Sequence, residues 1–449
     1  LTALLGASCG AKKDFLDEKP SSDVFLPKSK VELQSLMDKS FFLNVMPELG
    51  TLSADEYYFE PGYWETLDSK ERNSYIWAKD IFQGQPNIGD WNMPYKQVLQ
   101  CNVVLDALEK NTIEDATEVE LNYLKGAAFF VRGLAFYNVA VLFSDIFDDP
   151  SASAKPGIPI RLRPEVDEQS HRSNLGDTYK QIFSDLQQAS LLLPDTIPVK
   201  ARNRPSKPAI FAVLARIHLS NRSYEIAHQY ADSCLKYYNK LIDYNKVDKN
   251  AFYPFKAQND ESIYFATMPV ESKVLNGILQ PLTVVDSNLY NSYDVNDLRK
   301  NIFFLMNGAN HPNFKGGYSG SAFSYAGVAT DEVVLIKAEC LARERKTEDA
   351  IDMLNLLLKN RIDKNKFKPL QANTPEDALQ LILNERKKEL VMRGLRWTDL
   401  KRYNKENRNS VLTRKLNGLT YYLAPNDSKY LLPIPPDVIA LSGIPQNER

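Results

Sequence analysis

The sequence predicts a mainly α-helical fold, with helix pairs stacked into a superhelical scaffold and a loop-rich insertion containing small β-strands. Three observations carry this expectation. Apolar residues recur at steps of three and four over several long segments, which is the period of an amphipathic helix. Two distant segments repeat the same spacing of alanines. One long stretch, rich in Asn, Tyr, Gly and Phe, loses the helical period.

The helices can be justified in chain order. In 91–109 the stripe is Trp91, Tyr95, Val98, Asn102 and Leu105. In 119–143 it is Leu124, Ala127, Val131, Leu134, Asn138 and Leu142, with small residues that allow another helix to approach closely. The segment 178–193 places Tyr179, Ile182, Phe183, Leu186, Ala189 and Leu193 on one face, and Pro194 and Pro198 stop it. Between the last two, the Pro-punctuated run DDPSASAKPGIPIRLRPEV (148–166) reads as an ordered loop.

ARIHLSNRSYEIA (215–227) and AECLARERKTEDA (338–350) then echo each other: an alanine, a helical turn, a short polar break, and an alanine twelve residues on. A second amphipathic helix follows each break. This is the grammar of tetratricopeptide-like repeats, in which small residues let paired helices interlock. With 91–109/119–143 and a further pair at 376–405, four helix pairs are expected. The scaffold then spans about 91–242 and 330–405, the insertion about 243–329 and a C-terminal segment 406–449, all within one domain, 26–449. SIYFATM (262–268) reads as a short strand in the insertion. The span 44–90 is irregular too, with aromatics packed between turn residues in DEYYFEPGYWE (55–65) and YIWAKDIF (75–82). Long irregular segments on a helical scaffold are usually functional.

Composition narrows the function classes. Of 449 residues 43% are hydrophobic and 25% charged, with net charge −2, which is no basis for a nucleic-acid binder. No stretch approaches the ~18 consecutive apolar residues of a membrane span. Cys101, Cys234 and Cys340 sit in helical patterns without zinc spacing, and read as buried thiols or a disulfide. LTALLGASCG ends a greasy, small-residue run at Cys9. Residues 1–8 read as a signal-peptide remnant, Cys9 as a lipid-attachment site of lipobox type, and 9–25 as a tether. A plain secretory signal cleaved nearby is the alternative.

Taken together, CGAKKDFLDEKPSSDVF at the start, YKQVLQCNVVLDALE (95–109), LKGAAFFVRGLAFYNVAVLFSDIF (124–147), GIPI (157–160), LARIHLSNRSYEIAHQYAD (214–232), VVLIKAECLARERKTEDAIDMLNLLLKNR (333–361), NERKKELVMRGLRWTDLKRYN (384–404) and YLLPIPPDVIALSGIPQNER (430–449) resemble, in order, the SusD/RagB family of outer-membrane nutrient-binding lipoproteins. Arg393 stands where that family commonly has Glu. The resemblance implies a lipid-anchored protein on the outer face of a Gram-negative outer membrane. It would bind oligosaccharide, or in some relatives peptide, and partner a TonB-dependent SusC-like transporter. It implies no cofactor and no catalysis.

The residues themselves offer little chemistry. Ser319 in GGYSGS lacks the last glycine of a G-x-S-x-G elbow, and the four histidines are scattered. The charges of 384–404, with Glu385, Glu389, Arg386, Arg393 and Arg396, read as an ion-pair network that docks the last helices. Aromatics in the irregular segments are the better binding candidates, because a sugar's C–H face stacks on a ring while Asn, Asp and Arg take its hydroxyls. Tyr63, Trp64, Trp77 and Trp91 with Asn92 form one candidate ligand-binding cluster; Tyr293, Tyr318 and Tyr325, near Asn291 and Asp294, form another. Burial in the loop core is the alternative for each. A structural lid on the transporter and a glycan-active hydrolase are the competing functions.

Overall fold

The computed structural model describes residues 27–60, 62–110, 113–165, 169–269, 272–275, 283–408 and 411–449; Cys9, residues 1–8 and the 9–25 tether lie outside them. The chain is mainly helical. Helices α1 (Gly89–Glu109) and α2 (Glu118–Phe143) pack together, and α3 (Leu175–Leu192) packs on α2. A capping box starts α2, with Thr117 and Glu120 satisfying each other's backbone N–H groups. Gly126 lets α3 approach, since a Cβ there would lie 2.9 Å from Leu192. Arg132 on α2 then joins all three helices. Its guanidinium grips Asp185 on α3 at 2.7 and 2.8 Å and donates to Asn102 on α1 at 2.9 Å. Asn102 in turn donates to the carbonyls of Arg161 and Arg163, which fixes the 148–165 excursion to the scaffold.

By length and composition α2 is apolar enough to cross a membrane, but most of its apolar stretch is buried inside the fold. It is the central core helix, and Arg132 and Asn138 keep its apolar residues from forming one unbroken run.

The echoing segments are helix pairs, α4 (Lys207–Ser220) with α5 (Tyr224–Tyr237) and α6 (Thr330–Arg343) with α7 (Thr347–Leu358); α5 also packs on α6. Ala215, Ala227, Ala231, Ala338 and Ala350 are buried at these contacts. Cys101, Cys234 and Cys340 are buried free thiols, each pushed up by burial.

The expected fourth pair is different. Helix α8 (Pro375–Glu389) packs on α6 and α7, whereas α9 (Arg396–Asn404) packs on α4 and the short helix Leu49–Ser53. The link between them prevents a simple turn. Met392 and Gly394 both have left-handed backbone, at φ 57° and 79°, and Arg393 reaches across to Asp331 on α6 at 2.7 Å.

The irregular segments carry two-stranded antiparallel pieces. Tyr57–Phe59 pairs with Thr283–Val285, Ser262–Tyr264 with Val328–Ala329, and Phe304–Met306 with Pro312–Phe314. The C-terminal segment adds a hairpin, Leu412–Leu416 with Leu419–Leu423. Within SIYFATM only 262–264 is strand, and Thr267 makes single bridges to Val45 and Tyr325.

Candidate ligand-binding site

An ionic layer joins α6, α8 and α9 to the insertion. Arg299 binds Asp297 at 2.6 Å, Glu385 at 2.7 Å and Glu389 at 2.9 Å. Arg361 binds Glu389 at 2.7 Å and Glu261, Arg402 binds Glu339 and Asp399, and Arg386 binds Asp399 at 2.8 Å. Burial pushes Glu261 up to about 8, against the opposing pull of Arg361. The carboxylates of Glu261, Asp331 and Glu389 come within 4.8 Å of one another, yet each is already held by an arginine. The layer is structural.

Three of the predicted tyrosines belong to this layer. Tyr293 is 1% exposed and donates to the Lys388 carbonyl at 2.7 Å. Tyr318 shares a 2.8 Å hydrogen bond with Tyr244, and Tyr325 one with Ser262. The Arg393 guanidinium lies 5.2 and 4.8 Å from the Tyr318 and Tyr325 ring centroids. Their hydroxyls are satisfied and their faces covered, because the buried cations use them as walls. Asn291, at the end of the helix Ser287–Asn291, and Asp294 just after it are exposed beside them. In the neighbouring loop the Ser319 hydroxyl donates to the Ser321 carbonyl at 3.0 Å. Gly320 there has φ 68°, and a Cβ would meet the Ala257 nitrogen at 2.2 Å.

The other predicted cluster divides into three. Trp91, 4% exposed, packs against Tyr95 and Phe143 at the start of α1, with half-buried Asn92 next to it. Its ring edges an apolar groove of about 320 Å³ shared with Tyr95, Arg161 and Leu441. Trp77 is 3% exposed, at φ 54°, and donates from its indole to the Ser53 carbonyl at 2.9 Å. With Tyr57 and Tyr75 it surrounds the guanidinium of Arg414, which donates to the carbonyls of Ala54 and Tyr57. Trp77 thus supports the 55–66 loop from beneath.

Tyr63 and Trp64 remain at the surface. Strand alternation turns Tyr57 and Phe59 inward and Tyr58 outward. The chain then turns, leaving Tyr63 38% exposed and Trp64 half-buried. The Trp64 indole donates to the Arg72 carbonyl at 2.9 Å, and the Arg72 guanidinium sits 5.7 Å from the ring centroid. The ring plane is therefore held before any ligand arrives. Asp68 caps the helix Ser69–Tyr75 below it, and Glu71 on that helix accepts from Ser272, Lys273 and Val274, docking a second loop.

Polar groups gather at the start of the same turn, where the Tyr63 N–H donates to the Glu60 carbonyl at 3.2 Å. His311 Nδ1 lies 2.6 Å from Glu60, Asn307 donates to Glu60 at 3.4 Å, and the Tyr58 and His311 rings are 6.4 Å apart. Tyr58, Glu60, Asn307 and His311 are not among the residues expected from sequence. The alternation in EYYFE could have found Tyr58; nothing local marks His311 or Asn307. The patch offers aromatic faces, a carboxylate, an amide and an imidazole, which suits a hydroxyl-rich ligand.

Two family models match. One, described as starch-binding associating with outer membrane, covers residues 14–219; the other, the SusD family, covers 243–447. SusD-like protein P25 of Formosa agariphila is 24% identical over 236 residues, 49% of this chain but only 42% of that relative's length. A SusD superfamily structure from Bacteroides thetaiotaomicron superposes with TM-score 0.75 at 21% identity, covering 94% of this chain and all of that one. A SusD-like carbohydrate binding protein from Bacteroides vulgatus gives 0.70 at 20% identity, covering 93% and 97%. The ordered motifs, the helix pairs and both family matches agree: the chain belongs to the SusD family.

Proposed function

We propose that this protein is a non-catalytic, lipid-anchored binding protein of the outer-membrane surface. It captures oligosaccharide on the 58–66/307–311 patch and delivers it to a TonB-dependent SusC-like transporter. The observation that carries the binding role is the pre-set, solvent-facing pair Tyr63 and Trp64 beside Glu60, Asn307 and His311. Rigid rings give contact area with little entropy to lose, and the polar groups supply direction. The names of similar proteins, which include carbohydrate binding, support a glycan as ligand. A glycan array with purified protein tests this: binding without turnover, weakened on Trp64→Ala, supports it. Released product would establish a hydrolase, and an array without any ligand would leave only the lid. Anchoring is tested separately by Cys9→Ala, which should release the protein from the membrane fraction; retention there contradicts it.

A further inference from the structure

A pocket of about 490 Å³ opens where the ends of α2 and α9 meet residues 426–448, sharing no residue with the Tyr63/Trp64 patch. Its size suits a small ligand, for which ~300–1,000 Å³ is usual. Lys401, Lys405 and Arg172 line it, and none makes an ion pair among the described residues. Lys401 is 5% exposed; its ammonium donates to the Val141 and Ser144 carbonyls at 2.9 and 2.7 Å. An ammonium has three N–H groups, so one is left over. Arg172 donates to the Gly157 and Pro445 carbonyls, and its buried Nη2 has no partner. Asn447, also 5% exposed, uses its amide N–H groups on Phe143 and Leu432, while its Oδ1 is unpartnered.

The acids nearby offset these cations only in part, Asp145 acting on Lys401 and Lys405 without bonding either. Asp145 pairs with Lys155 at 2.8 Å, Asp427 faces Lys429, and Glu448 is exposed. Burial without a bonded carboxylate pulls the Lys401 amine down to about 8. A bound carboxylate would compensate these donors, and a hydroxyl would satisfy Asn447 Oδ1.

We propose that this pocket takes an acidic sugar unit, a hexuronate of an oligosaccharide, with its carboxylate against Lys401, Lys405 and Arg172 and a hydroxyl donated to Asn447. The sugar half rests on the glycan-binding function proposed above; the anionic half stands on the pocket. The test is calorimetry with a disaccharide ending in glucuronate and its neutral glucose counterpart. The glucuronate form should bind at least tenfold tighter. Lys405→Glu, on an exposed side chain, should remove that preference, as should Lys401→Met, whereas Trp64→Ala should not. Equal binding of the two disaccharides, glucuronate binding indifferent to Lys405→Glu, or no glucuronate binding overturns the proposal. In the last case a neutral glycan still bound through Trp64 leaves the protein's glycan-binding role standing, while failure of every glycan removes both.

Discussion

Two regions of this molecule carry the same chemical vocabulary and use it oppositely. The layer around Arg299, Arg361 and Arg393 and the patch around Tyr63 and Trp64 both combine tyrosines, carboxylates, amides and cations. In the layer, Tyr293, Tyr318 and Tyr325 each pack against a guanidinium and another ring, and their hydroxyls are bonded to protein. In the patch, the Trp64 indole and the Thr66 hydroxyl bond to backbone carbonyls, while Tyr63 stays 38% exposed and Trp64 half-buried. The number of partners already taken, more than residue type, separates a wall from a binding surface.

The sharpest way to break this contrast is at Arg361. Replacing it by Leu leaves Glu261 and Glu389 buried without one of their cations, and should lower stability by about 3–5 kcal/mol, read by urea denaturation. A loss below 1 kcal/mol would show that the layer is wetter than its geometry indicates.

Glu56 sharpens it through pH. It is buried, accepts from the Met392 N–H at 3.1 Å and is pushed up to about 8 from an ordinary 4.5, mainly by burial. An acid raised on folding binds more protons native than unfolded, so its contribution falls as pH rises from about 4.5 to about 8. Glu56→Gln should remove that slope, which is at most about 1.4 kcal/mol per pH unit. Stability curves of the two proteins that run parallel across this window would refute it.

Trp64→Ala should weaken glycan binding about tenfold, the loss of one stacked ring at roughly 1.5 kcal/mol, with little change in melting. Trp77→Phe is its counterpart beneath the loop: it deletes the bond to Ser53, should reduce stability by about 1 kcal/mol, and should leave binding within twofold. If Trp77→Phe affected binding as strongly as Trp64→Ala, the division between supporting and presenting rings would fail. Smallest of all, Tyr422→Ala on the exposed hairpin should change neither by more than about 0.5 kcal/mol.

Much of the scaffold was legible because helices announce themselves locally. The alanines of 215–227 and 338–350 predict their own burial, and the stripe of 119–143 predicts the close approach at Gly126. What lay beyond reach depends on long-range partners. The 376–405 segment has the periodicity of a helix pair, yet Arg393 is drawn to Asp331, 62 residues away in sequence, and α8 packs mainly on α6 and α7 while α9 packs on α4. The candidate aromatics show the same limit. Tyr318 and Tyr63 sit in equally polar, glycine-containing loops, and only the positions of Arg393, Arg361 and Tyr244 decide that Tyr318 is enclosed. His311 joins the patch through Glu60, 251 residues earlier, a pairing without a local trace.

The central claim is that ligand meets the open rings and leaves the enclosed ones alone. It is tested most directly by calorimetry of one array-identified neutral glycan against the unmodified protein, Tyr63→Ala/Trp64→Ala and Tyr318→Phe. Binding should vanish in the first variant and persist in the second. Binding that survives the double substitution, or depends on the Tyr318 hydroxyl, would contradict the account.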